Sequence, residues 1–369
     1  MPRWALVWRN LAALVVLAIA TFALSLLPSP VPLTDDSRRA VRAEVLSVDN
    51  SSVNRVGLLD YGTQRLTVRL ADGSVYSVEN ELRAQMDLDK SFTPGDTALV
   101  LPPTSSDKDE ILIARDHWRL GWAALLFGAF AVLLAVFGSM TGVKALMSFV
   151  FSCLAVWKLL VPLVLSGYSA AGTTFLTVAV LTIVIIFLVA GLTRKGVAAV
   201  SGSLLGVLSS LVLAHVFTRL MLVNGATMPF APALVYGGYS SLDLQDVFVG
   251  AIILASSGAV MDLGIDIASG LEEVHRHNPN LTFRALFFSG LRIGRAVVGT
   301  MTTTLLLAYS GGYLTLLMAF AAQGTHPVDF LNSTLVSAEV VKTLVGSFGL
   351  VLVAPFTALV GAILFTRRQ

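Results

Sequence analysis

Val247-Phe248-Val249-Gly250-Ala251-Ile252-Ile253-Leu254-Ala255-Ser256-Ser257-Gly258-Ala259-Val260-Met261-Asp262-Leu263-Gly264-Ile265-Asp266-Ile267 is the stretch on which the fold class turns. No charge interrupts it before Asp262. About 20 apolar residues are enough for a helix to cross a hydrocarbon core about 30 Å thick, and this run meets that length. Its two aspartates are what such a core rejects. Ionisable groups at that depth are costly and tend to mark a substrate or ion path.

The rest of the chain repeats the pattern. It has 369 residues, 55% of them hydrophobic and 13% charged. A soluble domain carries roughly 25% charged residues, so most of this chain does not meet water. Seven further apolar runs lie at 11–27, 120–137, 145–165, 173–192, 197–223, 285–309 and 344–365, which predicts eight crossings. A shorter run at 313–322, followed by His326, Pro327 and Asp329, predicts a re-entrant or half-inserted segment. The run at 11–27 continues past the cleavage-like Ala18-Ile19-Ala20, which predicts an uncleaved signal anchor.

Basic residues in short loops set the orientation. Arg3 and Arg9 place the N-terminus in the cytoplasm, and Lys144, Arg194, Lys195, His275, Arg276, His277, Arg284, Arg367 and Arg368 all fall on that side with eight crossings. The expected location is the inner, cytoplasmic membrane, multi-pass. The loop at 224–246, with Asp243, Asp246 and no basic residue, falls outside.

Between the first two runs lies a polar, β-patterned stretch. Strands are expected at 40–48, 64–70, 75–78 and 98–101. Ala71-Asp72-Gly73-Ser74 is a hairpin signal, and Pro94-Gly95-Asp96 marks another turn. The expected organisation is an anchor helix over 1–27, an extracytoplasmic β-rich domain over 28–116 that suits a small OB-like barrel, and a helical transmembrane domain over 117–369. The domain's acids Asp60, Glu79, Glu81, Asp87 and Asp89 read as a solvated surface.

Asp262 and Asp266 share one helix face, and Asp262 lies roughly 22 Å below Val247 at about 1.5 Å per residue. Counted from Ala285, Arg292 lies about 10 Å deep and Arg295 about 15 Å. The acid and basic pairs therefore sit at similar depths on consecutive helices and are able to pair. Thr300, Thr302, Thr303 and Thr304 add hydroxyls, and Glu339 and Lys342 repeat the i, i+3 spacing before the last run. Salt bridges that order the bundle are the alternative reading of the same residues. Lys158 reads as snorkelling, and His215 and Arg219 as interfacial. Gly202 with Gly206, Gly290 with Gly294, and the stripe Ala251, Ala255, Ala259 have the spacing of close helix contacts.

Several classes have no support. The net charge of +2 suggests no nucleic-acid partner. The only cysteine, Cys153, reads as a packing residue and allows neither an internal disulfide framework nor a cysteine metal cluster. There is no HExxH and no Gly-rich phosphate loop, so neither an enzyme, a metal site nor a bound cofactor is expected.

Gly258-Ala259-Val260-Met261-Asp262, Gly290-Leu291-Arg292-Ile293-Gly294-Arg295, and Gly299-Thr300-Met301-Thr302-Thr303-Thr304-Leu305-Leu306-Leu307-Ala308-Tyr309 together resemble the YibE/F-like membrane proteins. Glu339, Gly346-Ser347-Phe348-Gly349-Leu350-Val351-Leu352 and Pro355-Phe356-Thr357-Ala358 resemble that family's last helix, and the likeness is read over most of the chain, anchor and β-domain included. The family tends to have aspartate where this chain has Ala296, and asparagine where it has Thr303. The resemblance implies a membrane architecture and a transport role. The function expected is a secondary transporter or exporter of a small, anionic solute, coupled to protons or cations through Asp262, Asp266, Arg292, Arg295, Thr302, Thr303, Glu339 and Lys342. An accessory or sensor subunit that docks a partner through the β-domain is the alternative, and an ion channel a further one. The expected partners are the lipid bilayer, the solute or ion, and a further copy or a partner membrane protein.

Overall fold

Alternation in Arg65-Leu66-Thr67-Val68 points Leu66 and Val68 to one side of a strand, and both are buried. The computed structural model describes residues 3–27, 40–103 and 111–366, with side chains from Leu14 onward. The Arg3 and Arg9 side chains, and Arg367 and Arg368, on which the orientation leans, lie outside the described residues.

The β-rich part is a closed five-stranded barrel built from β1 (Val41–Val56), β2 (Leu59–Leu70), β3 (Val75–Arg83), β4 (Thr97–Val100) and β5 (Leu112–His117). The order around it is β1-β2-β3-β5-β4, with β4 pairing back onto β1 and β5 parallel to β3, an OB-like arrangement. Ala43, Val45, Leu66, Val68, Val78, Phe92, Ala98, Val100, Leu112 and Ala114 fill the interior. Gly73, at φ +86°, turns the expected β2–β3 hairpin. Register shifts in β1 between Val45 and Ser47 and between Asp49 and Ser52 mark bulges, which coil a long strand enough to close a small barrel.

One buried amide organises the barrel's loop. Gln64 accepts from the Phe92 amide at 2.9 Å and donates to the Phe92 carbonyl at 3.0 Å and to Asn50 at 2.9 Å. Asn80 donates to Gln64 at 3.2 Å and to the Lys90 carbonyl at 2.6 Å. The surface acids are partnered locally. Asp60 meets Arg55 at 2.6 Å, Glu81 meets Arg83 at 2.6 Å, and Glu79 lies 3.6 Å from Arg65. The amides of Arg83 and Gln85 donate to Asp89, and with Ala84 they hold its carboxyl below the usual aspartate range.

The second compact unit takes residues 1–30 and 138–369. Its described helices begin with α1 (Arg3–Leu26), and α2 (Leu120–Ala155) starts in the other unit, Val31–Phe137, and continues into it. The expected loop at 138–144 is not formed. A single residue, Ser139, at φ +48° and ψ −131°, breaks an otherwise continuous helix. Lys144 therefore lies in α2, where its Nζ donates to the Leu188 carbonyl at 3.1 Å. A π-helical turn, Val156–Leu160, leads into α3 (Val161–Leu165) just ahead of Pro162, which lacks the N–H that a regular α-helical ladder needs. Lys158 donates to the Leu27 carbonyl at 3.0 Å, satisfying a group past the end of α1. Cys153 is exposed on α2 rather than packed.

The remaining helices are α4 (Ala170–Ala190), α5 (Arg194–Leu220), α6 (Ala231–Tyr236), α7 (Leu244–His277), α8 (Phe283–Gly312), α9 (Leu314–Ala322), α10 (Pro327–Asn332) and α11 (Thr334–Thr366). Ser169, Thr193, Asp243 and Thr282 cap α4, α5, α7 and α8, each accepting a backbone amide. Glycine lets the helices touch. Gly202 of α5 lies against Thr357 of α11, Gly206 against Gly349, Gly264 of α7 against Ser203, and Gly290 and Gly294 of α8 against Ala358 and Ala354. The expected GxxxG pairs are thus contact seams.

Among the described residues, five helical segments are long and apolar enough to cross a membrane, one of them Leu120–Leu165, and a sixth if α8 and α9 are taken as one span. That pair bends by 62°, and α9 buries no residue. Leu14–Leu26 is a shorter apolar helix. The last helix starts earlier than expected, at Thr334, so Glu339 and Lys342 lie inside it.

Candidate functional site

α7 buries one flank and leaves the other open. Val260, Leu263, Gly264 and Ile267 are buried, whereas Ala251, Ala255, Gly258, Asp262 and Asp266 are exposed and fall on one line at helical spacing. α8 has the same division. Gly290 and Gly294 pack inward, and Arg292, Ala296, Gly299 and Thr303 form an exposed line, with Arg295 beside it. The two positions that differ from the family's habit, Ala296 and Thr303, both belong to this line.

Contacts between the helices fix their register. Gly290 faces Leu271, and Gly294 faces Ile267. Arg295 therefore stands level with Asp266. Asp262 is a turn further along α7, about 6 Å, and some 10 Å from the level of Arg292. Among the described residues, no ion pair joins Asp262, Asp266, Arg292 or Arg295 to any partner, and all four are exposed. The direct pairing within one chain that their depths suggested is not made. Nor are the four enclosed in the core of the helical unit.

The threonines have spent their protons. Thr302 Oγ1 donates to the Val298 carbonyl at 2.8 Å and Thr303 Oγ1 to the Gly299 carbonyl at 3.1 Å. Their oxygens are left to accept, so they suit a donor or a cation, while the arginine forks suit a carboxylate or phosphate.

Glu339 and Lys342 do pair, Nζ to Oε2 at 3.2 Å, both half-buried on α11. Lys342 Nζ also lies 5.6 Å from the centre of the Tyr309 ring. The Tyr309 hydroxyl, next to Gly346, is shielded from solvent and has no hydrogen-bond partner, as has Thr343 Oγ1. Sequence spacing found the ion pair but gave Tyr309 no role, since the tyrosine comes from a different helix.

A further cluster joins three helices near the start of α7. Asp246 Oδ2 accepts from Ser169 Oγ at 2.8 Å and from the Ala171 amide at 3.1 Å, and Oδ1 lies 3.6 Å from His215 Nε2. His215 Nδ1 is 3.2 Å from the Leu211 carbonyl, which only an N–H can satisfy. A small cleft of about 60 Å³ opens here, lined by His215, Thr218, Arg219, Asp243, Gln245 and Asp246. Thr218 Oγ1 is fully buried and unpartnered. The interfacial reading of His215 missed Asp246 because Ser169, His215 and Asp246 are far apart in sequence and follow no common period.

Comparison with curated proteins gives no match, and comparison with solved structures gives none. The family model described as YibE/F-like protein matches residues 126–367. The match takes in every candidate site residue on the helices but begins after the barrel and α1, so the resemblance read over those parts lies outside it. With about two-thirds of its length matched, and with its long apolar helices, this chain belongs to the YibE/F-like family and is a membrane protein.

Proposed function

We propose that this protein is a secondary transporter or exporter of a small, anionic solute, coupled to protons or cations. The carrying observation is the set of four ionisable side chains, Asp262, Asp266, Arg292 and Arg295, placed within apolar helices with no ion pair among the described residues. A charge retained in such a setting is expensive, which favours a working role. In this reading, the arginines attract the anion and Asp262 and Asp266 exchange the coupling ion. The membrane is the inner, cytoplasmic one, with eight crossings, Leu120–Leu165 counting as two divided at Ser139, a cytoplasmic N-terminus and the barrel on the extracytoplasmic side. Solute flux in proteoliposomes containing only this protein tests the reading.

The second reading is an accessory or sensor subunit, favoured by the closed barrel, a compact module whose surface acids are locally paired. It expects no flux from the purified protein and full flux once a partner complex is added.

A further inference from the structure

The two exposed lines on α7 and α8 differ from the open faces of α4 and α11. Exposed positions on α4 include Leu176, Val180 and Ile183, and those on α11 include Leu344, Phe348 and Val351. Such side chains belong against lipid tails. The α7 line has Ala251, Ala255 and Gly258 leading to two acids, and the α8 line has Gly299 between Arg292 and Thr303.

Small residues on a spanning helix serve close contact with another helix. Gly202, Gly290, Gly294 and Gly349 serve that purpose within the chain. Gly258 and Gly299 do not, since a Cβ added at either meets nothing within 4 Å. The same face carries charges of both signs, which hydrocarbon does not accept.

We propose that this face is the contact surface between two copies of this chain, related by a twofold axis along the membrane normal. Such an axis keeps each residue at its own depth. α7 of one copy then lies against α8 of the other, with Asp266 level with Arg295. Asp266 of each copy meets Arg295 of its mate, once on either side of the axis, while Asp262 and Arg292 stand off that level. Charge complementarity selects a second copy over a lipid, because the face holds both halves of the match. The contact does not depend on transport.

Charge reversal with disulfide cross-linking tests it. In a Cys153→Ser background, two differently tagged copies are co-expressed, one carrying Gly258→Cys and the other Thr303→Cys. These positions lie equally far along the two helices from the Ile267–Gly294 contact. Oxidation in native membranes should yield a mixed-tag dimer, whereas a control pair at Leu176→Cys and Leu344→Cys should not. Adding Asp262→Lys and Asp266→Lys to both copies should cut the product on the order of tenfold or more, since like charges then oppose each other. Keeping those lysines in one copy and placing Arg292→Glu and Arg295→Glu in the other should restore it, which a merely misfolded variant cannot do. A product no greater than the control, cross-links only to a foreign protein, or failure of the mixed reversal to restore the product overturns the proposal. Absence of flux with an intact mixed-tag dimer removes the transport reading and leaves the dimer standing.

Discussion

At Gln64 a single side chain decides where a loop lies. Its amide satisfies both backbone groups of Phe92, and Phe92 fills the barrel interior. Gln64→Leu keeps the volume but strands the Phe92 amide, its carbonyl and the Asn80 side chain. The expected loss is about 1–3 kcal/mol per stranded group at most, read as faster hydrogen exchange across β2 and β3 in the intact protein. Asp89 predicts a pH response. Its carboxyl is held below the ordinary value of 3.8, chiefly by the Arg83 amide. A group depressed in this way stabilises the fold above its unfolded value and loses that contribution as pH falls through its folded value. Protection of the Arg83 and Gln85 amides should hold from about pH 7 to about pH 5 and fall only below the ordinary aspartate value. Loss of protection already near neutrality contradicts this assignment.

Among the elements, glycines separate into two populations with opposite predictions. A Cβ at Gly202 collides with Thr357 of α11, so Gly202→Ala should cost about 1–3 kcal/mol through overpacking. Gly258→Ala adds a methyl in open space and should leave the folding of an isolated copy unchanged within about 0.5 kcal/mol. Unfolding in detergent compares the two, and equal losses contradict the separation. Much of the element plan was legible in the sequence, because apolar length, Asp72-Gly73 and the i, i+4 glycines each answer to one local rule. A break between 137 and 145 was read from the sequence, but not its form, since a single residue at positive φ, Ser139, stands in place of the expected loop. β5 escaped because its parallel partner β3 is remote in sequence. The second half of β1 and the first half of β2 escaped, because the chain bulges between Asp49 and Ser52 and then continues as a paired ladder to Val56 and Leu59.

For the whole molecule, the sequence picked out charges within apolar helices but not their arrangement. Depths counted from helix ends set Asp262 level with Arg292. The packed register, anchored at Gly290 with Leu271 and Gly294 with Ile267, sets Asp266 level with Arg295 instead. Helix periodicity orders residues around one axis and says nothing about how far two helices slide past each other. That register also sharpens the functional expectation. Asp262→Asn keeps shape and hydrogen-bonding capacity but removes the titrating charge. If the charges serve only contact between two copies, Asp266→Asn should weaken that contact, and a neutral double variant, Asp266→Asn with Arg295→Gln, should keep full activity. If they work in transport, the double variant stays folded and inactive. The most direct measurement is flux of labelled small carboxylates and inorganic phosphate, with lumenal pH followed in parallel, in proteoliposomes of the purified protein and of its Asp262→Asn, Asp266→Asn and Arg292→Gln variants. Anion flux with linked proton or cation movement is expected in the unmodified protein, with loss of that linkage in equally well-inserted aspartate variants. No flux above empty liposomes from correctly inserted protein, or full coupled flux in every variant, contradicts the transport reading.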